Sequence, residues 1–369
     1  MPPWLPSRGV PIVGARALSK SEQDLLVAWL DAGSPVGELP KAASDAEGAS
    51  PQRLIADDSI GGNDGSVSVK MRAPWTVPAE GGRRWFKAER DKRTFVFPLE
   101  NERSLRVRGI AYQSTAAQTL GAVALSVDPS GDGRRMVDWD DEPGSYMMAD
   151  IRSVPAGSLA IIGPGGGRLQ YPEGFYVPVP IGSDIMSQVH YRPQGRPRVL
   201  DDRIVLETLD DGVPARPLVP VNLMVPRVEL DPGERKEFSN ELVLPVDIDL
   251  VALTPRASRR CISLRLEARV PGSDSPQVLL EIDDWNPHYR STLILKEPLR
   301  LPAETIVSCR WLYDNSEKNP RNPVVPTEKV DLGSRSGAMN VLLMSAPVKR
   351  IEIRPLLDFI HEEAVRNRG

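Results

Sequence analysis

Proline and glycine punctuate this chain so often, 36 and 29 times in 369 residues, that long helices have almost nowhere to form. Proline removes a backbone donor and clashes with the preceding helical turn, and both residues favour turns. Between the breakers run short segments with the two-residue alternation of strands. Val67-Ser68-Val69-Lys70-Met71 and Leu105-Arg106-Val107-Arg108-Gly109-Ile110 alternate, and Val123-Ala124-Leu125-Ser126-Val127 stops at the turn sequence Asp128-Pro129-Ser130-Gly131. A second set follows at residues 241–253, 261–268, 278–282, 291–295 and 305–313. Many strands and few helices predict an all-β chain of two antiparallel β-sandwich, jelly-roll-like domains.

Two helices are expected. Ser19 with Glu22 forms a capping-box pattern, Leu25, Leu26, Trp29 and Leu30 recur at helical spacing, and Gly33 ends the run. Residues 356–367 read as a short terminal helix. The chain thus divides into a helical segment (1–40), a small and polar linker (41–65), a first sandwich (66–212), a second (213–350) and a terminal helix (351–369).

Charged residues make up 26% and the net charge is -4, with Lys and Arg mixed among acids, so neither nucleic acid nor an anionic membrane is an expected partner. No run of about 18 apolar residues exists to span a bilayer as a helix. Met1-Pro2-Pro3-Trp4-Leu5-Pro6 has neither the basic nor the apolar region of a signal peptide. Cys261 and Cys309 allow one disulfide or two buried thiols, and spacing leaves both open. Gly163-Pro164-Gly165-Gly166-Gly167 lacks the Lys and the following helix of a phosphate cradle, so it reads as a loop. The acidic run Asp138-Trp139-Asp140-Asp141-Glu142 lacks the ligand alternation of a calcium loop and reads as a solvated turn. No Gly-x-Ser-x-Gly elbow supports a hydrolase triad. Asp314-Asn315-Ser316 and Asn322-Pro323 are expected to fix a long loop by bonding neighbouring backbone.

Three histidines are present, His190, His288 and His361. His190 has a distinctive setting: Pro172-Glu173-Gly174, Pro180-Ile181-Gly182-Ser183-Asp184, then Gln188-Val189-His190-Tyr191-Arg192-Pro193. Downstream stand Asp314-Asn315-Ser316 and Asn319-Pro320-Arg321-Asn322-Pro323. In order and spacing these resemble the copper type II, ascorbate-dependent monooxygenases, the peptidylglycine- and dopamine-hydroxylating group, over roughly residues 67–345. A bacterial branch, in which the module follows a cytochrome c domain, is the nearer likeness. The resemblance implies two sandwiches facing across an open cleft, and an extracytoplasmic, periplasmic location.

It also implies copper, held in that family by five histidines and a methionine. The His-His pair of one site falls on Gly121 and Ala122, leaving His190 as the residual ligand. The His-x-His of the other falls on Arg256 and Ser258 after Leu253-Thr254-Pro255, and Met339 matches the thioether. His190 and Met339 are therefore the residual metal positions, and four of six ligands are replaced. Residues 1–40 resemble the end of a cytochrome c domain, with Met1 at the axial position of haem c, although no Cys-x-x-Cys-His attachment motif is present. A start inside a longer chain would account for this.

The expectation is a copper monooxygenase-like frame with degenerate sites, acting as a non-catalytic binding or scaffold module of a bacterial multidomain redox protein. Its partner or small substrate is not named by the sequence. One alternative is a working oxidoreductase with a single metal on His190 and Met339. Another is a glycan- or peptide-binding cleft with Trp139, Trp285 and Tyr289 as platforms.

Overall fold

The computed structural model describes residues 6–14, 20–35, 65–80, 92–145, 157–287, 290–332 and 339–367. The chain is all-β and sandwich-type, with a short C-terminal helix.

In the first sandwich, a four-stranded antiparallel sheet runs in the order Lys92–Pro98, Asp184–Tyr191, Leu120–Asp128, Ser158–Ile162. It faces a second sheet containing Phe175–Val179, Leu105–Gln113, Arg203–Thr208 and Ser66–Lys70. Alternation puts Phe95, Phe97, Ile185 and Val189 of one sheet against Val107, Ile110, Ile204 and Leu206 of the other, all buried in one cluster. The Gly163–Gly167 loop joins two strands, and no helix follows it. Its tightness has a cause: a Cβ on Gly166 (φ +84) would sit 2.7 Å from the Tyr112 carbonyl.

The second sandwich pairs a five-stranded sheet, centred on Cys261–Arg269 and Ile306–Asp314, with a four-stranded one ordered Val219–Met224, Met339–Pro347, Ile248–Ala257, Leu293–Leu301. Pro245 divides the run 241–253: one strand ends at Val243 and the next begins at Ile248 in the opposite sheet. Trp311 and Tyr313 are wholly buried between the sheets, and the terminal helix Ile353–Arg366 covers one edge with Leu356 and Ile360. Cys261 and Cys309 are two free, buried thiols. Burial pushes both up from the usual thiol range, which keeps them protonated and unreactive.

Residues 7–13 belong to this second unit. Arg8 and Gly9 add as an edge strand to Gln277–Ile282, Val10 donates to the Leu279 carbonyl, and Val13 donates to the Ile294 carbonyl of the opposite sheet. The segment therefore closes the gap between the two sheets of the sandwich. Gly9 has φ +141, and a Cβ there would lie 2.5 Å from the Leu279 oxygen. Gly9→Ala is expected to release residues 7–13, raising amide exchange at Ser7, Val10 and Val13 by about tenfold or more. Unchanged exchange at those amides would mean that the edge tolerates the methyl. The helix Lys20–Asp31 ends at Gly33 (φ +79) as expected, but it does not bury its apolar positions: Leu25 is 71% exposed and Leu30 59%.

The two sandwiches share a packed seam. Val251, Ala252, Ile294, Met344 and Ala346 of the second sandwich belong to the hydrophobic cluster of the first. Two of the three strands that carry them, Ile248–Ala257 and Met339–Pro347, are buried on both faces. Such strands read as continuous apolar runs, here Leu250-Val251-Ala252-Leu253, because neither face meets water. Thr292 bonds across the seam: its N–H donates to the Ile161 carbonyl at 2.8 Å, and its hydroxyl accepts from the Ile161 N–H at 2.9 Å.

Candidate functional site

His190 lies near the end of the Asp184–Tyr191 strand, half-buried at the seam. Strand pairing places it directly opposite Ala122 on one side and Lys92 on the other. Gly121 is adjacent: a Cβ built on it would be 3.2 Å from the His190 carbonyl oxygen. The three positions that the resemblance assigns to one copper thus meet in space, but two carry no donor. The third is already engaged. Arg290, from the second sandwich, sets its Nη2 3.0 Å from His190 Nδ1 and 3.3 Å from Nε2. An atom nearly equidistant from both ring nitrogens lies over the ring, and the guanidinium is a permanent cation, so positive charge sits close to both nitrogens and repels a metal ion at either.

The other position set does not converge. Ala257 pairs with Met339 and Arg256 with Asn340, so Met339 and Arg256 face opposite sides of the sheet. Met339 is 1% exposed, inside the second apolar core beside Ala257. Asn340, on the Arg256 side, donates to Asn222 Oδ1 at 2.8 Å. His190 and Met339 sit in sheets of different sandwiches. Among the described residues, no three His, Cys, Asp or Glu side chains form a group that could hold a metal. The donors among the described residues therefore do not fit a copper site. Met1, and with it the haem position, lies outside the described residues, as do His288 and Tyr289; His361 is exposed on the terminal helix.

Of the proposed aromatic platforms, Trp285 is corrected by the fold: it is 3% exposed, part of the second core. Trp139 is 86% exposed. The acidic turn around it has a structural explanation that local sequence did not carry. Arg93 is wholly buried and donates to the carbonyls of Glu142, Pro143 and Gly144, at 3.0, 2.6 and 3.2 Å. Its guanidinium lies 5.1 Å over the Trp75 ring, and Trp75 Nε1 donates to Glu142. Asp140 is 3.5 Å from the same guanidinium. The acids thus balance a buried cation.

Asp202 is the other buried carboxyl of note. Tyr112 and Ser114 hydroxyls each donate to it at 2.7 Å, between the two sheets of the first sandwich. Burial raises it from the ordinary carboxylate range, and the two hydroxyl donors oppose that rise. A raised folded-state value stabilises the fold below the ordinary carboxylate range and ceases to do so as pH rises through the raised value. The stability of the wild type relative to Asp202→Asn is therefore expected to fall as pH rises above about 4, as followed by urea unfolding. A flat difference across that range would remove the linkage.

The loop after Ile306–Asp314 is fixed partly by neighbouring backbone, as expected, and partly by residues far away in sequence. Asn315 is fully buried and donates to the Asp231 and Glu328 carbonyls, both at 2.9 Å, while its oxygen accepts from Arg260 Nε at 2.9 Å and Asn322 Nδ2 at 3.1 Å. Asn319 and Asn322 bond the Asp314 and Ser316 carbonyls. The signature residues downstream of His190 are loop architecture.

No protein-family model and no curated protein matches the sequence. Among solved structures, the chain is similar to an infectious bursal disease virus structure (Gx strain; 10% identity, 77% of this chain and 73% of that one, TM-score 0.20). It is similar to PNGF-II (9% identity, 76% and 65%, TM-score 0.28) and to a Paenibacillus xanthan lyase (10% identity, 75% and 25%, TM-score 0.19). It thus spans less than two thirds of the last two. Likenesses this weak carry no argument about the site.

Proposed function

We propose that this chain is a non-catalytic binding or scaffold module built on a two-sandwich frame of the copper monooxygenase type. The observation that carries the reading is the Arg290–His190 contact, in which a cation from one sandwich occupies the imidazole that the other would offer to a metal. Gly121 and Ala122 beside it bring no donor, and Met339 is committed to the core. Hydroxylation of this type needs two metal centres, one to receive electrons and one to meet dioxygen; on this reading neither can be assembled. Packing is what the frame keeps. The shared apolar seam and the Thr292 bonds hold the sandwiches in one arrangement, so a surface formed by both is presented without a conformational step.

Ascorbate-dependent oxygen consumption tests the reading. Copper-supplemented wild type is expected to consume no oxygen above free copper, and so is the double variant Arg256→His/Ser258→His, because the ligand set of His190 stays broken at Gly121 and Ala122. Protein-dependent turnover in either would overturn it.

A further inference from the structure

We propose that the strand Arg235–Val243 is an interface for a second copy of this chain, which pairs with it antiparallel about a two-fold axis at Phe238. Such pairing is independent of whether a metal binds. The second sandwich covers its other edges. Residues 7–13 cap Gln277–Ile282 and Leu293–Leu301, and the terminal helix packs along Val219–Met224. Arg235–Val243 pairs with Ile306–Asp314 on one side and, among the described residues, with no strand on the other. An open edge of this kind offers a row of backbone donors and acceptors to another strand.

The inner pairing shows which groups face outward. Asn315 N–H donates to the Glu234 carbonyl and Leu244 N–H to the Thr305 carbonyl, both in register with the Arg235–Asp314 pair. Antiparallel bonds alternate, so the even-numbered residues bond inward, and the N–H and C=O groups of Arg235, Glu237, Ser239 and Glu241 point away from the sheet. Asn240 Oδ1 accepts the Glu241 N–H at 2.9 Å, which leaves the Glu241 carbonyl and both groups of the other three. A two-fold axis at Phe238 sets Glu237 against Ser239 of the second copy and Arg235 against its Glu241. These are the outward-facing residues, as the bonding pattern requires. Unlike charges then stand opposite each other, twice by symmetry. The neighbouring registers fail: an axis at Glu237 opposes that carboxylate to itself, and one at Ser239 opposes Glu237 to Glu241. Arg235, Glu237 and Glu241 are exposed and make no ion pair among the described residues. Phe238 stacks edge-on against the buried Tyr313, ring centroids 5.6 Å apart, and holds the strand from behind. Charges on an edge ordinarily discourage pairing. Here their order repels the shifted registers and favours one.

Sedimentation velocity of the full chain across a concentration series is the test. A monomer–dimer equilibrium is expected, and salt should weaken it. Arg235→Glu and Glu241→Arg should each weaken dimerisation about tenfold or more, because like charges then stand opposite each other. The combined variant Arg235→Glu/Glu241→Arg restores unlike pairs and should dimerise as the wild type does. Loss of a merely structural role would not be rescued in this way. Glu237→Pro removes an outward N–H, leaves the inward ladder intact and should also weaken the dimer. Circular dichroism checks that each variant is folded, and Glu237→Pro serves should a charge reversal fail to fold. A wild type that stays monomeric throughout the series overturns the proposal. So do open assemblies larger than a dimer, single reversals without effect, or a combined variant that does not recover.

Discussion

Arg93→Ala is expected to destabilise the first sandwich by about 3–5 kcal/mol, measured by urea unfolding. The guanidinium is wholly buried and satisfies three consecutive carbonyls, Glu142, Pro143 and Gly144. Each loses a charge-assisted bond in the variant, at roughly 1–3 kcal/mol for a buried group left unpaired, though these losses do not simply add. The cation over Trp75 disappears too, and Asp140 and Glu142 lose the cation they share. Arg93→Lys should recover only part of the loss, because an ammonium cannot span three carbonyls as a planar fork does. A cost below about 1 kcal/mol for the alanine variant would mean that the turn is held by something other than this clamp.

Asn315→Asp is the second large effect, although it exchanges only an amide for a carboxylate. The amide donates to two carbonyls, and a carboxylate oxygen in its place would face both at 2.9 Å with nothing to donate. Two bonds are lost and a charge is buried against two acceptors; Arg260 on the other oxygen offsets a part. A net cost of about 3 kcal/mol at neutral pH follows from the usual penalty for buried unsatisfied groups. Acidification should recover some of it, because a protonated carboxyl donates to one carbonyl again. That recovery distinguishes the mechanism from simple loss of packing, and a variant equally unstable at all pH values would contradict it.

Local chemistry was legible in the sequence and long-range pairing was not. The alternation at residues 105–110 located a strand that extends over Leu105–Gln113, and Gly33 marked a true helix end. The Asn319 and Asn322 bonds could be read because they run to residues only a few positions away, whereas those of Asn315 to Asp231 and Arg260 could not. Arg93 was passed over because its partners lie some fifty residues on, and nothing local separates a clamp from a surface arginine. Arg290 escaped for the same reason, a hundred residues from His190. The packed seam did leave a trace, the unbroken run Leu250-Val251-Ala252-Leu253, but it merged with the preceding strand because the break at Pro245 was read through. Trp285 shows the limit of composition: an aromatic in a polar loop sequence turned inward to the core.

The most direct test of the central claim, that the frame does not offer a copper site, is copper stoichiometry by elemental analysis of the purified full chain after reduction, incubation with trace copper and dialysis. A value near zero, unchanged by His190→Ala or Met339→Leu, is the expected result. One or more copper ions retained per chain and lost in either variant would contradict the account, and would mean that Arg290 yields the imidazole to a metal.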